Sequence, residues 1–440
     1  MNNLAWTTAL LVGIPFVAVP QTAMGLFEGH GDVGTVLQAG AAGFDAQRGI
    51  YTVSASGENM WATADAFHFV WKKMTGDVSL TADIAFATAG GNAHKKGMLI
   101  VRQSLDADAA YCDAALHGNG LVSLQCRERQ GGITYEIQQA AVGAKRLRLE
   151  KRGASFLVAG AVVGESPRFT GGSVRLPMEG AFYVGIGVCA HDKDAVEQVA
   201  FSNVTLGTPT MEQPALQSTL EVAPVRGDRR AIHVSGERIE APSFAADGKS
   251  ILFLAKGKMQ SIPLTGGTPQ ATGAGMTNRP VASVSQIRLM AAKRRGKLNI
   301  YSQASTGGRK TWLTNGVGNN MNPEYTPDGT AILFDSDRTG TRQVWRMSAG
   351  GLHAEQLTSD ALHNWLPHLS PDGTRVAMLS SETAPSEAGQ EISVRVLTLA
   401  GKTIAVLAKI TGGRGTMEAP SWSPDNRLLT FVSYQMLPQN

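Results

Sequence analysis

One phrase recurs along this chain and limits what it can fold into. Residues 417–434, Met-Glu-Ala-Pro-Ser-Trp-Ser-Pro-Asp-Asn-Arg-Leu-Leu-Thr-Phe-Val-Ser-Tyr, have counterparts at 240–254, 322–334 and 366–379. In all four copies a Pro stands five residues before an Asp, a Gly or Asn follows the Asp, and a short apolar run comes next. Pro ends an extended stretch, the Asp-Gly or Asp-Asn pair turns the chain through positive φ, and the apolar run returns as a strand. Each copy therefore reads as a β-hairpin.

The Asp residues set the period. Asp247, Asp328, Asp372 and Asp425 are separated by 81, 44 and 53 residues. The first gap is two periods and holds a worn copy, with Pro280 in the Pro position and residues 288–302 aligning with 332–346; the third is one period plus an insertion at 381–390. A repeat of about forty residues with several short strands builds a β-propeller. The last copy is cut short, and residues 218–235 read as the strands it lacks. Pairing 218–235 with 428–434 would close a ring of about five blades and leave no open sheet edge.

This wording resembles the TolB-like propeller repeat, found in the periplasmic protein of the Tol system and in many secreted bacterial proteins. The resemblance covers roughly half the chain and implies a fold more than an activity. Oligogalacturonate lyase carries a similar propeller, so the resemblance leaves an enzyme open on this scaffold.

The rest of the chain reads differently. Residues 1–25 carry one apolar segment broken by Pro15, followed by small residues at Ala23 and Gly25. This is the pattern of a signal peptide cleaved before Leu26, with a packed or disordered apolar tail as the alternative. Export implies a periplasmic or secreted protein with no transmembrane segment after cleavage. The formal charge of +4 over 440 residues argues against a dedicated nucleic-acid binder.

Residues 26–207 contain no Pro-Asp-Gly phrase, but short alternating runs at 78–87, 97–103, 110–116, 121–129, 146–151, 155–163, 181–189 and 198–206. Such runs without a helix pattern predict a two-sheet sandwich. The phrases at 71–83, 97–108 and 201–206 resemble the laminin-G or concanavalin-like jelly roll, which implies a glycan-binding surface. Residues 208–217, with two Pro, read as a linker to the propeller at 218–440.

One hairpin can be read in detail. Symmetry about Asn119 puts Cys112 opposite Cys126, Ala114 opposite Leu124 and Leu116 opposite Val122 on an apolar face. The two thiols face each other and can join in an oxidising compartment, leaving Cys189 unpaired. The other face carries Tyr111 opposite Arg127 and Asp113 opposite Gln125. That row is either a sugar-binding surface or an ordinary solvated sheet face.

The sequence has no P-loop, nucleophile elbow, His-Glu-x-x-His or zinc-spaced Cys pair, and no cofactor or metal is expected. Candidate ligand-binding residues are positional, at the starts of the innermost blade strands facing the channel: Glu240, Asn278, Arg279, Glu324, His363, Asn364, His368 and Glu418, with Trp365 as a stacking platform. The set suits a uronic acid, or it consists of hydrogen-bonded strand starts with a structural role. The lyases place several His around one metal, a pattern these blade starts lack. Trp422 takes the slot of Phe244 and Tyr325 and reads as blade core. The reading is a monomeric binding or scaffolding module of the cell envelope, for a glycan or an envelope protein. The rival is a polysaccharide lyase or glycoside hydrolase working in the channel.

Overall fold

The computed structural model describes residues 24–141, 143–210, 214–225, 228–272, 286–384, 390–412 and 420–438. The leader as far as residue 23 and the candidates Asn278, Arg279 and Glu418 lie outside the described residues. Every regular element described is a strand, and among the described residues no helix is long and apolar enough to cross a membrane.

Two sheets face each other in the N-terminal half. One runs, in spatial order, through Gly29–Val33, Phe67–Met74, Phe182–Cys189, Lys96–Arg102, Tyr111–His117, Val122–Arg127 and Tyr135–Gln138. The other runs through Arg168–Phe169, Ser155–Ala161, Arg146–Arg152, Val78–Phe86, Glu197–Gly207, Ile50–Ala55 and Ala41–Asp45. Alternation aims one face of each at a common core: Tyr51, Val53, Leu80, Ile84 and Phe201 from one side meet Leu99, Val101, Leu124 and Val184 from the other. The hairpin register is the expected one, with Cys112 opposite Cys126, Ala114 opposite Leu124 and Leu116 opposite Val122. Cys112 and Cys126 form a disulfide, and Cys189 is a buried free thiol.

In the C-terminal half the repeat becomes four separate antiparallel sheets. They are Ile239–Phe244 with Ser250–Ala255, Lys258–Pro263 and Gln270–Ala271; Ile287–Arg294 with Lys297–Ala304 and Thr311–Trp312; Asn320–Tyr325 with Ala331–Ser336, Gln343–Ser348 and Glu355–Gln356; and His363–Leu369 with Arg375–Ser381, Gln390–Thr398 and Thr403–Gly412. The recurring turns behave as their chemistry requires, with Gly248, Gly329, Gly373 and Asn426 all at positive φ. The turn Asp side chains cap the loops, Asp328 accepting from Thr326 Oγ1 at 2.6 Å and Thr330 N at 3.1 Å, and Asp372 from Ser370 Oγ at 2.6 Å.

The two ends of the repeat region pair with each other: Pro214–Pro224 runs antiparallel to Leu428–Pro438 without a break in register. Four separate blade sheets stand against the expected five, because these end strands, with Arg229–Ser235 and Ser421–Trp422, belong to the large N-terminal sheet. Ile137 and Gln138 pair in parallel with Arg229 and Arg230, making one sheet of eleven strands across both halves.

Two expectations are corrected here. The linker at 208–217 is in part strand, since the backbone of Pro214–Gln217 pairs with residues 435–438. The row Tyr111, Asp113, Gln125 and Arg127 is neither solvated nor an open concavity, for all four side chains are buried. They lie under the small ribbon Met60–Trp61 and Ala64–Asp65, and Met60, Phe67, Phe69, Met98, Ile100 and Tyr111 form a second core on this outer face. Alternation could not reveal this, because a strand covered on both sides and one half-exposed differ in what packs over them.

Candidate functional site

The innermost blade strands carry a shared irregularity that places the channel residues. Ala241, Asn322 and Leu366, each just before the repeat Pro, have φ near +50° at a register shift in the pairing. Such a bulge re-aims the side chains beside it.

The channel candidates disperse from there. Glu240 meets Arg238 at 3.0 Å on an exposed surface. Glu324 and His368 come together across neighbouring blades, His368 Nδ1 to Glu324 Oε2 at 2.8 Å. His363 accepts from the backbone N–H of Arg342 at 3.4 Å. Asn364 is fully buried, donating to Gln343 Oε1 and Asp360 Oδ1 at 2.9 Å each and accepting from Ser380 and Arg395. Its work is to hold the blade together. Trp365 is not a stacking platform: it is 3% exposed and packs with Ala223, Leu379, Val394 and Phe431 in blade core. Trp422 is core as anticipated, its Nε1 donating to His368 O at 3.0 Å.

Sequence reasoning missed a buried carboxylate beside this channel. Asp335 accepts from Asn322 Nδ2 at 2.6 Å and from Leu366 N of the next blade at 3.2 Å, and pairs with Arg342 Nε at 2.7 Å. The signal was available: Asp335 ends the apolar run 331–334 at a position where the other copies keep Leu254, Ala291, Leu379 and Val432.

On the sandwich, Arg127 is a clamp. Its guanidinium grips Asp65 at 2.7 and 2.9 Å, Arg102 reaches the same carboxylate at 3.3 Å, and Tyr111 lies against both cations. This cluster pins the 60–65 ribbon over the sheet. Asp113 is different, with both oxygens buried and no ion pair among the described residues, and burial pushes its carboxyl well above the ordinary range.

Next to it opens a cavity of about 290 Å³ lined by Asn59, Trp61, His94, Lys96, His117, Gln125, Glu136 and His191. The Lys96 ammonium already donates to Asn59 Oδ1, Met60 O and Gln125 Oε1 at 2.9–3.2 Å. Three imidazoles crowd the mouth, His94 lying 5.5 Å from His191 and 5.9 Å from His117, centre to centre. Burial lowers the pKa of His117 to about 3 and lowers that of His191, aided by Lys96, so both are neutral at pH 7. His117 Nε2 meets Ser123 Oγ at 3.0 Å, while Nδ1 of His191 is buried without a partner. No group of three His, Cys, Asp or Glu side chains among the described residues is arranged to hold a metal ion. The sequence reading passed over this cavity because its members come from four separate stretches.

The sequence pattern of the TolB beta propeller domain matches residues 212–439, over half the chain. The chain belongs to the TolB β-propeller family. An uncharacterized protein of Agrobacterium fabrum is 34% identical over 191 residues, which is 42% of this chain and 63% of that relative. The matched part thus spans less than two thirds of the relative's length. Among solved structures, one assigned as TolB of Agrobacterium tumefaciens is 26% identical with a TM-score of 0.42, covering 51% of this chain and all of that one. TolB of Acinetobacter baumannii is 19% identical with a TM-score of 0.29, covering 50% of this chain and 64% of that one.

Proposed function

We propose that this TolB-family propeller protein is an exported, monomeric binding and scaffolding module of the cell envelope. Its sandwich holds a neutral sugar residue of a glycan, and its propeller serves a protein partner. The observation that carries the glycan reading is the cavity beside Trp61. An anion would find no spare hydrogen on Lys96, and Glu136 offsets that charge. A hydroxyl group both donates and accepts, so it can satisfy the lone nitrogen of His191 in either tautomer. Trp61 adds an aromatic surface of the kind that pyranose rings pack on. Catalysis in the channel has less to rest on, because Asn364 is engaged in holding its blade and His368 with Glu324 in joining two.

In this reading the N-terminal layers are a jelly-roll sandwich at 26–207, and the end strands complete a fifth blade of a propeller at 218–440. Cleavage before Leu26 would take Met24 out of the sandwich core, so the mature N-terminus is informative. The test is calorimetric titration with a panel of neutral and uronic oligosaccharides. Binding of a neutral member, lost in Trp61→Ala and in His191→Ala with unchanged melting, is the expected result. Affinity confined to uronic acids, or unaltered by both substitutions, would overturn it.

A further inference from the structure

Between Asp247 and Glu324 the chain has eleven Lys and Arg residues and not one Asp or Glu. The rest of the protein holds 29 of the 40 cations against all 36 carboxylates, so the near-neutral total hides a strongly polar distribution. The cationic stretch covers the first blade sheet from Ser250 onward and the whole of the second.

Six of these cations gather at two equivalent places. The second and third strands of the first blade meet at a turn where Ala255 pairs with Lys258, leaving Lys256 and Gly257 at the tip with φ of +51° and +70°. In the second blade Arg294 pairs with Lys297, leaving Arg295 and Gly296 at the tip with φ of +52° and +77°. Both are two-residue turns of the type that favours Asn or Asp at the first tip position. Each has a cation there, in a left-handed conformation that a long side chain adopts reluctantly. As the same connection in neighbouring repeats, the two turns emerge at one end of the ring. Lys256, Lys258, Lys293, Arg295 and Lys297 are exposed, and Arg294 is half-buried. Among the described residues only Lys256 of the six meets a carboxylate, Glu237 at 2.8 Å.

We propose that this end of the first two blades docks on an anionic phospholipid surface. A bilayer offers a plane of negative headgroups, which projecting tips from two adjacent blades can meet together, and polybasic segments are drawn to it. Single-stranded nucleic acid would want open aromatic faces for its bases. Here Arg294 lies over Trp312 and Lys310 over Tyr301, covering those rings with the protein's own cations. The tips carry no apolar residue, so adsorption is electrostatic, reversible and independent of the sugar cavity.

The test is co-sedimentation of the full chain with phosphatidylcholine vesicles, with and without about 30 mol % phosphatidylglycerol. Binding to the anionic vesicles only, released by about 0.5 M NaCl, is expected. Replacing Lys293, Arg294, Arg295 and Lys297 by Gln should weaken it about tenfold or more, whereas R294K with R295K should retain it. Circular dichroism melts of both variants separate loss of charge from loss of fold. Equal binding to neutral vesicles, an unaffected Gln variant, or tighter binding to single-stranded or duplex DNA than to the anionic vesicles would overturn the proposal.

Discussion

Asp65 in the sandwich and Asp335 in the propeller are both fully buried carboxylates, yet they serve different kinds of cohesion. Asp65 sits between two guanidiniums that are themselves fully buried, and the three close a local clamp over one sheet face. Asp335 reaches across a blade boundary to Leu366 N, and its Arg342 partner keeps 15% of its side chain in solvent. The sandwich thus encloses charge to fix a covering segment, while the propeller uses charge to couple repeats whose cores are already made. If so, removing each carboxylate should have unequal consequences.

Asp65→Ala leaves two buried cations uncompensated and should cost about 3–5 kcal/mol, enough to threaten the sandwich. Asp335→Ala leaves one partly solvated cation, an amide and a backbone N–H, and should cost roughly 2–3 kcal/mol. Denaturant unfolding of both variants measures the difference. Equal losses would break the distinction between clamp and coupler.

The same contrast explains what the sequence made readable. Propeller turns were legible because Pro, Asp and Gly act locally, and pairing of the two ends of the repeat region followed from counting strands in the truncated last copy. The Cys112–Cys126 register was legible because a hairpin has a symmetry centre. Burial of Tyr111, Asp113, Gln125 and Arg127 was not, since it depends on the ribbon at 60–65, far away in sequence. For the same reason the cavity around Trp61 and the coupling role of Asp335 needed three dimensions, and Trp365 seemed spare only while its neighbours in the next sheet were unknown.

Two smaller effects should be confined to the sandwich and have opposite pH signs. His117 has a folded pKa near 3 against an ordinary 6.5, so the unfolded chain takes up a proton that the folded chain refuses. Stability is complete above about 6.5 and lost as pH falls toward 3, with about 2 kcal/mol gone near pH 5. His117→Gln should flatten that part of the profile. Asp113 is raised above its ordinary 3.8, so its contribution is complete below that value and is lost as pH rises. Asp113→Asn should therefore match the parent near pH 3 and be more stable than it at pH 7. A penalty at pH 7 would mean that the carboxylate is ionised and paired through its neighbour Lys96.

The continuity of the eleven-stranded sheet is the feature on which the rest depends. Ile137 and Gln138 pair with Arg229 and Arg230, Asp228 accepts from Glu136 N at 3.0 Å, and Arg229 joins Ser173 O at 3.0 Å to Glu221 at 3.2 Å. Scanning calorimetry of the full chain tests whether this junction makes one cooperative body. One transition, with calorimetric and van't Hoff enthalpies in agreement, is expected. Two resolved transitions, one for the sandwich and one for the propeller, would contradict it.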